Sequence, residues 1–424
     1  MTFESAHLSR VIRQGIYPAL TLLVVAALLA LAAPRPPGRR AQLLWASLLG
    51  ASGAAFWLTR EEGLWLVPFV LPMAVVALFR RRTDQGALRQ LLLALALAVA
   101  LFFALVAAAA QQNFRHYGSW VTAETSSRSF LDAYCALTRV RPSVDLPTVA
   151  VTRDVRRAIY AQSPAFAELR PYLEGGTALF WARLFEPFTG LDPKRREIAG
   201  GAFAWALRDS VQRAGHYSSP AAAKAYYARL TREIDAACAR KALDCGPSRS
   251  GFAPVWTDSR LRRLRRELGV AIPYFFGFQG HTARSWPSTG DAASRALFAA
   301  MTREALTPEG TSQPDPEAGG RIRFLEAIGG IFRGGALFAN FAALLAWGIA
   351  AATAFRRRCL PPELPLGISL LGGISALVFI AAAIQATSFA AIQPMTFAAA
   401  YPLLLLFWFT AFAAVNSSPG RALP

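Results

Sequence analysis

A charged turn between two apolar stretches is the part of this sequence best equipped for chemistry. Residues 56–68 place Arg60, Glu61 and Glu62 between runs that are apolar enough to lie in a membrane. Charged side chains between membrane helices are costly, so they are usually paired or functional. In the functional interpretation, Arg60 binds a phosphate, and one glutamate acts as a base or as a ligand of a divalent cation.

A structural interpretation of the same turn stays open. In it, Arg60 forms a salt bridge with one of the two glutamates, and Gly63 allows the chain to turn. Trp57 and Trp65 then lie in the aromatic belt at the membrane interface. The turn would in that case be a short interfacial hairpin without a catalytic role.

The composition is that of a membrane protein. Of the 424 residues, 54% are hydrophobic and 17% are charged, which is too apolar for a soluble surface. Seven stretches are long enough to cross a bilayer, which needs about 20 helical residues. They lie at residues 16–33, 42–59, 64–79, 90–110, 335–355, 366–386 and 395–415. The third is short enough to be partly re-entrant, and the first lacks a signal-peptide cleavage site, so we expect a retained span.

Clusters of arginine predict the orientation of these spans. The clusters follow the first, third and fifth spans and consist of Arg35, Arg39, Arg40, Arg80, Arg81, Arg82, Arg356, Arg357 and Arg358. The membrane is expected to be a bacterial-type cytoplasmic (inner) membrane. Because cytoplasmic loops carry the excess of Lys and Arg, all three clusters are expected on its cytoplasmic side. The N-terminus, the Arg60 turn and residues 111–334 then face outward. This division explains the net charge of +19 better than binding to nucleic acid does.

The predicted fold class is therefore an all-α polytopic membrane protein with about seven transmembrane helices. A helical extracytoplasmic domain, residues 111–334, separates a four-span region, residues 1–110, from a three-span region, residues 335–424. Runs at 220–243 and 257–271 have helical composition. Candidate helix starts are Ser218 and Ser219 before Pro220, and Thr257 with Asp258. Residues 307–320, rich in Pro and Gly, are predicted to be a loop leading back to the membrane.

Three of the four cysteines lie in the predicted outer domain, where disulfides persist. A bridge between Cys238 and Cys245 would close a short loop and is the first expectation. A bridge from Cys135 to either of them is the alternative, and the sequence leaves both open. Cys359 lies beside an inner arginine cluster and is expected to stay reduced.

Three segments resemble the polytopic glycosyltransferases of the GT-C superfamily. The turn Thr59-Arg60-Glu61-Glu62-Gly63-Leu64 is similar to a Thr-Arg-x-Glu-Gly-Leu segment of that family. Residues 112–120 are similar to the Asn-aromatic-Arg-x-aromatic-Gly segment that leaves the membrane after a span. Tyr401-Pro402 is similar to the Arg-Tyr-x-x-Pro start of a late span, although here no arginine stands nearby. The matches cover roughly residues 1–125 and 335–415 and are specific only as a set.

The resemblance implies transfer of a sugar from a polyprenyl-phosphate carrier to an extracytoplasmic acceptor in the cell envelope. Such a reaction needs a carboxylate to take the acceptor proton and cations to stabilise the departing phosphate. The candidate carboxylates are Glu4, Glu61 and Glu62, and the candidate phosphate partners are Arg10, Arg13, Arg60, Arg115 and His116. Glu4 could equally be a solvated terminal residue and His116 an interfacial one. His216 and His281 lack further ligands at metal-site spacing, and no cofactor is required beyond the divalent cation left open above.

The resemblance also implies a missing part. Family members carry their main catalytic carboxylate in a first outward loop after an initial span, whereas this chain begins on the predicted outer side. We therefore expect a truncated or late-started form of such an enzyme, or a catalytically inactive one.

Two further hypotheses complete the predictions. Arginines at 260, 262, 263, 265 and 266 crowd one helix. They form either a solvated basic face or a surface lying on the outer leaflet. The alternative function is a non-catalytic envelope membrane protein, or a transporter component, whose outer domain binds a partner. Transport is disfavoured because the spans hold almost no ionisable groups, Asn340 and Gln385 being their nearest polar side chains.

Overall fold

In the computed structural model, helices joined by turns and loops make up the described residues, which are 15–35, 37–60, 63–281, 291–303, 316–358 and 363–416. No β-strand occurs in these ranges; the only strand-like pairings are two isolated bridges, Val140 with Cys245 and Val149 with Ala199. Packing divides the chain into two compact units. Unit 1 comprises residues 1–103, 270–380 and 392–424, and unit 2 comprises residues 104–269 and 381–391.

Unit 1 contains most of the apolar helices. They are α1 (Tyr17–Ala32), α2 (Arg39–Thr59), α3 (Val67–Arg80), the first part of α4 (Gln85–Tyr117), α15 (Pro316–Arg357), α16 (Leu364–Thr387) up to residue 380, and α18 (Tyr401–Asn416). Within the described ranges, five helices are long and apolar enough to cross a membrane: 39–59, 63–80, 85–117, 322–356 and 364–387. Helices α1 and α18 have 16 residues each. A helix thus occupies each predicted span, and the count of seven spans stays a prediction.

Close contacts between these helices use small residues, as membrane helix packing commonly does. A Cβ atom added at Gly50 of α2 would lie 2.5 Å from the carbonyl oxygen of Ala98 in α4. Arg81, at the end of α3, is buried and donates through Nη2 to the carbonyl oxygens of Leu31 (2.7 Å) and Ala33 (3.4 Å). Those carbonyls lie at the C-terminal end of α1, so this arginine of the predicted inner cluster serves as a helix cap.

Unit 2 has its own hydrophobic core. Its helices are α5 (Arg128–Thr138), α6 (Arg153–Tyr160), α7 (Pro164–Glu168), α8 (Arg170–Leu173), α9 (Gly176–Leu184), α10 (Glu186–Thr189), α11 (Gly200–Arg213), α12 (Pro220–Ala239) and the start of α13 (Asp258–Phe276). Helix α5 packs on α12, with Phe130 edge-on to Tyr227 at 5.2 Å between ring centres. Phe166 and Phe203 are completely buried in the same core.

The predicted helix starts are present. Ser219 accepts a hydrogen bond from the backbone N–H of Ala222 (3.1 Å) at the start of α12, with Pro220 in the first turn. The Thr257 hydroxyl accepts from the N–H of Arg260 at the start of α13. The predicted loop at 307–320 is wrong at its end, because α15 begins at Pro316, a residue suited to the first turn of a helix. Residues 304–315 lie outside the described ranges.

The predicted outer domain, residues 111–334, does not coincide with unit 2. The described parts of residues 270–334 belong to unit 1 instead, and residues 381–391, at the end of α16 and in the following turn, belong to unit 2. The predicted domain boundaries depend on which side of the membrane each segment faces, whereas the two units are defined by which segments pack together. The two divisions therefore describe different properties of the chain, and the sidedness stays a prediction.

Unit 2 contains a disulfide between Cys238 and Cys245, whose Cα atoms are 5.7 Å apart. This is the first of the two predicted pairings. Cys135 is a buried free thiol that donates to the carbonyl oxygen of Gly251 at 3.4 Å, and burial raises its pKa. Cys359 lies outside the described residues.

Helix α14 (Ala292–Thr302) and the short helix α17 (Pro394–Phe397) complete the described elements of unit 1. Helix α13 is divided between the units. Its arginines lie in unit 2, and its last turns, which include Phe275, lie in unit 1.

Candidate functional site

The predicted charged turn follows the end of α2. Arg60 has an extended backbone, with φ −149° and ψ 134°, and its N–H donates to the carbonyl oxygen of Phe56 at 3.4 Å. The N–H of Gly63 donates back to the carbonyl oxygen of Arg60 at 3.3 Å, and a 3₁₀ turn, Gly63–Leu66, leads into α3. Glu61 and Glu62 lie outside the described residues, as do Glu4, Arg10 and Arg13.

Three aromatic side chains form a buried cluster beneath this turn. Tyr17 stacks on Phe56 at 4.4 Å between ring centres, and Phe56 meets the edge of Trp65 at 5.9 Å. The indole Nε1–H of Trp65 donates to the Tyr17 hydroxyl at 3.2 Å. The guanidinium carbon of Arg60 lies 5.8 Å from the centre of the Tyr17 ring, a cation–π distance. Aromatic packing between α1, α2 and α3 therefore positions the arginine.

This cluster corrects the prediction for Trp65. The side chain is 1% exposed, so it does not lie in an aromatic belt. The physical reason is that α1 packs against both α2 and α3 and its Tyr17 offers the indole N–H a buried acceptor. Trp57 is half-buried, with its ring edge-on to Phe102 at 6.5 Å.

The second segment of the resemblance ends α4. The Asn113 side-chain amide donates to the carbonyl oxygen of Val121 at 2.7 Å, which fixes the chain after the helix. Gly118 has φ +68°, a left-handed conformation that favours glycine, and its N–H donates to Phe114 at 2.8 Å. Arg115 and His116 are exposed at this helix end. They lie in unit 2 and Arg60 lies in unit 1, so these three of the five predicted phosphate partners are divided between the units.

The third segment lies in an aromatic stack of unit 1. The ring of Tyr401 stacks between Phe275 at 5.1 Å and Phe278 at 4.3 Å. Its hydroxyl lies 3.3 Å from Nε2 of His281. An imidazole therefore stands beside this tyrosine, where the resemblance implies an arginine. The two residues are 120 positions apart, and no local signal in the sequence links them.

The polar side chains within the predicted spans have structural partners. Asn340 donates to the carbonyl oxygen of Phe276 at 2.8 Å and accepts from the Trp408 indole at 2.9 Å. The side-chain oxygen of Gln385 accepts from the N–H of Ala391 at 2.6 Å. These bonds satisfy polar groups at the ends of neighbouring segments, which is a structural role.

The arginines of α13 differ in burial and in the groups they contact. Arg260 is largely buried and donates to the carbonyl oxygens of Pro147 and Val149, both at 3.2 Å. Arg263 pairs with Glu267 at 3.7 Å and lies over the ring of Phe188. The solvated basic face predicted for this helix is therefore wrong for Arg260 and Arg263, because both hold neighbouring segments. The remaining arginines of the set are exposed: Arg262, Arg265 and Arg266.

No group of three or more His, Cys, Asp or Glu side chains suited to a metal ion occurs among the described residues. His216 pairs instead with Glu168 at 2.7 Å. The divalent cation considered above would depend on Glu61 or Glu62, whose placement is outside the described ranges.

Unit 2 contains a cleft of about 630 Å³ that the sequence reasoning missed. One wall is a face of α11, on which Trp205, Arg208, Asp209 and Gln212 recur at helical spacing. The opposite wall comes from α8 and the start of α9, including Phe180. The volume lies within the roughly 300–1,000 Å³ usual for small-molecule sites. The stripe of aromatic and planar polar residues on α11 is the signal that could have revealed it.

No family model matches the chain, and no curated protein or solved structure matches it at a significant level. The indications of its function therefore come from its own residues and their geometry.

Proposed function

We propose that this chain is a membrane glycosyltransferase of GT-C type that uses a polyprenyl-phosphate-linked sugar. The observation that carries the proposal is the position of Arg60, over the Tyr17 ring at the end of a membrane-length helix. A buried aromatic cluster fixes that end of α2, and two carboxylates, Glu61 and Glu62, follow directly in the sequence. A cation at the end of a membrane helix, followed by two carboxylates in the sequence, suits displacement at a sugar carbon.

The chemistry divides between these groups. An acceptor hydroxyl attacks the anomeric carbon, and the bond from that carbon to the carrier phosphate breaks. A glutamate of the turn takes the proton from the attacking hydroxyl. The guanidinium of Arg60 stabilises the charge on the departing polyprenyl phosphate by paired hydrogen bonds. Arg115 and His116, at the end of α4, stay phosphate partners predicted from the sequence alone.

The proposed location is a bacterial-type cytoplasmic membrane, with the Arg60 turn and the bulk of unit 2 outside. The argument rests on the three arginine clusters, which mark cytoplasmic loops. In the second cluster, Arg81 is buried against α1. Its position therefore reflects helix packing as well as the side of the membrane. Arg82 and Thr83 are exposed beside it.

Cysteine labelling tests this orientation. In a chain with Cys135 and Cys359 replaced by serine, Thr83→Cys should react only with a membrane-permeant maleimide. Ser218→Cys should also react with an impermeant reagent added outside. Ser218 is used instead of Ser219 because Ser219 caps α12, and replacing Ser219 would weaken that helix. The reverse labelling pattern would overturn the proposed sidedness.

Transfer activity tests the reaction itself. Proteoliposomes are given a radiolabelled polyprenyl-phosphate sugar and an envelope extract as the source of acceptor. Arg60→Ala should lower kcat by about 100-fold or more, because a preorganised charge partner of the leaving group is lost. Arg60→Lys should recover part of the rate, since it keeps the charge but loses paired hydrogen bonding. Glu62→Gln should also lower kcat by about 100-fold if it is the base.

The matched control is Arg89→Ala, which removes an exposed arginine near the start of α4. It should transfer sugar at the wild-type rate. Full activity in Arg60→Ala, Glu61→Gln and Glu62→Gln would remove the turn from the mechanism. It would then favour the second candidate, a non-catalytic envelope protein whose outer part binds a partner. That candidate is favoured by the cleft of unit 2, which contains none of the residues of the turn.

A further inference from the structure

The cleft of unit 2 has two walls of different character. Helix α11 contributes a single face, because Trp205, Arg208, Asp209 and Gln212 follow one another at intervals of three, four and seven residues from the first. Helix α9 contributes Phe180 and the half-buried Trp181. The Tyr172 hydroxyl of α8 donates to the backbone carbonyl of Arg213 at 2.9 Å, which ties the walls together.

Two large aromatic side chains at this cleft are exposed. Phe180 is 59% exposed and Trp205 is 52% exposed, although unit 2 has a well-filled core close by. Exposed apolar rings gathered in a concavity indicate a binding surface more than single scattered residues do. Aromatic faces carry partial negative charge and attract the polarised C–H groups on one face of a sugar ring.

The polar groups of the cleft are held in place before any ligand binds. Arg208 donates through Nε to Glu124 at 2.6 Å, and Glu124 is also bonded to the Tyr217 hydroxyl. Tyr217 in turn lies 2.9 Å from the buried Tyr227 hydroxyl. The Glu124 carboxylate raises the pKa of Arg208, so this guanidinium stays charged. Preorganised donors lose less entropy on binding than mobile ones.

The charges of the cleft nearly cancel. Arg213 pairs with both oxygens of Asp209, at 3.1 and 3.0 Å, and Arg208 pairs with Glu124. The cleft therefore offers donors and acceptors side by side without a strong net charge. A site for a phosphate or a nucleotide typically has an excess of cationic side chains. A surface that binds a bilayer is typically not concave and does not place a carboxylate at its centre. Alternating donors and acceptors match hydroxyl groups, each of which both donates and accepts.

We propose that this cleft binds a short, neutral saccharide of hexopyranose units. One ring face stacks on Trp205 or Phe180, and the ring hydroxyls bond to Asp209, Gln212 and the Arg208 guanidinium. The proposal follows from the chemistry of the cleft and does not rest on the transfer reaction proposed above. It goes beyond that reaction because it assigns a ligand class to unit 2.

Saturation-transfer NMR on the full chain in lipid nanodiscs tests the proposal. Maltotriose, cellotriose, mannotriose and galactotriose serve as probes, and maltoside or glucoside detergents are avoided because their head groups would compete. At least one trisaccharide should bind saturably, with the strongest transfer to C–H protons on one ring face. Trp205→Ala should weaken this binding about tenfold through loss of stacking. Asp209→Asn should weaken it about tenfold through loss of a charged acceptor.

The matched control is Trp256→Ala, which removes a tryptophan that is 40% exposed in unit 2 but does not line the cleft. It should bind the trisaccharide as the wild type does. Intact folding of each variant is checked by circular dichroism and by the absence of a reactive thiol from Cys238 or Cys245. The proposal fails if no trisaccharide binds, or if Trp256→Ala weakens binding as much as Trp205→Ala. It also fails if Trp205→Ala instead removes binding to phosphatidylglycerol vesicles, which would assign the cleft to a lipid surface.

Discussion

Two groups of aromatic side chains, one in each unit, differ in whether other side chains cover them. In unit 1, Tyr17, Phe56 and Trp65 bury one another and position a single arginine. In unit 2, Phe180 and Trp205 stand exposed in a concave surface beside ion pairs. The same residue types therefore position a charged group in one place and offer a surface in the other. Burial, rather than residue type, distinguishes the two roles.

The largest expected difference is between the substitution of a buried tryptophan in unit 1 and that of an exposed tryptophan in unit 2. Trp65→Ala should lower the free energy of unfolding by about 3 to 5 kcal/mol, because it leaves a cavity and removes the indole N–H that donates to the Tyr17 hydroxyl. Trp205→Ala should change it by no more than about 0.5 kcal/mol, as for other surface substitutions. Denaturant unfolding in a mild micelle, followed by circular dichroism, measures both. Equal destabilisation by the two substitutions would erase the distinction.

A smaller effect concerns acid pH and unit 2. Burial alone would raise the pKa of Asp154, but hydrogen bonds from the Ser143 and Thr152 hydroxyls and from the Ser143 N–H lower it to about 2. The pKa of an aspartate in an unfolded chain is about 3.9. Asp154 therefore stabilises the folded state above about pH 4, and this contribution is lost as the pH falls toward 2. Because Asp154 is exposed, solvent screening limits the contribution to about 1 kcal/mol.

Pepsin cleavage in nanodiscs measures this effect, since the protease works at acid pH. Wild-type unit 2 should become more readily cleaved between about pH 4 and pH 2. Asp154→Asn should be cleaved more readily than the wild type at pH 4, and the difference should shrink toward pH 2. Mass spectrometry locates the cuts in residues 128–245. A difference that stays constant over this pH range would show that Asp154 does not titrate with folding.

The sequence predicted the helical elements well because their signals are local. Long apolar runs place α2, α4 and α16, and the Ser219-Pro220 pair places the start of α12. The role of Trp65 was not predictable in this way, because the acceptor that buries it, Tyr17, lies 48 positions away.

The candidate sites were less predictable for the same reason. The Arg60 turn is visible in the sequence as charge between apolar runs, but the ring that holds its arginine comes from α1. The cleft of unit 2 needs α9 and α11 to face each other, and the sequence carries only the stripe on α11. The pairing of His281 with Tyr401 likewise depends on packing between distant segments.

Release of polyprenyl phosphate from a polyprenyl-phosphate-linked sugar by the full chain in nanodiscs tests the account most directly. An envelope extract supplies the acceptor. We predict carrier release that rises with the amount of extract and a kcat lowered about 100-fold or more in Arg60→Ala. Absence of carrier release by the wild type, or equal kcat in the wild type and Arg60→Ala, would contradict the account.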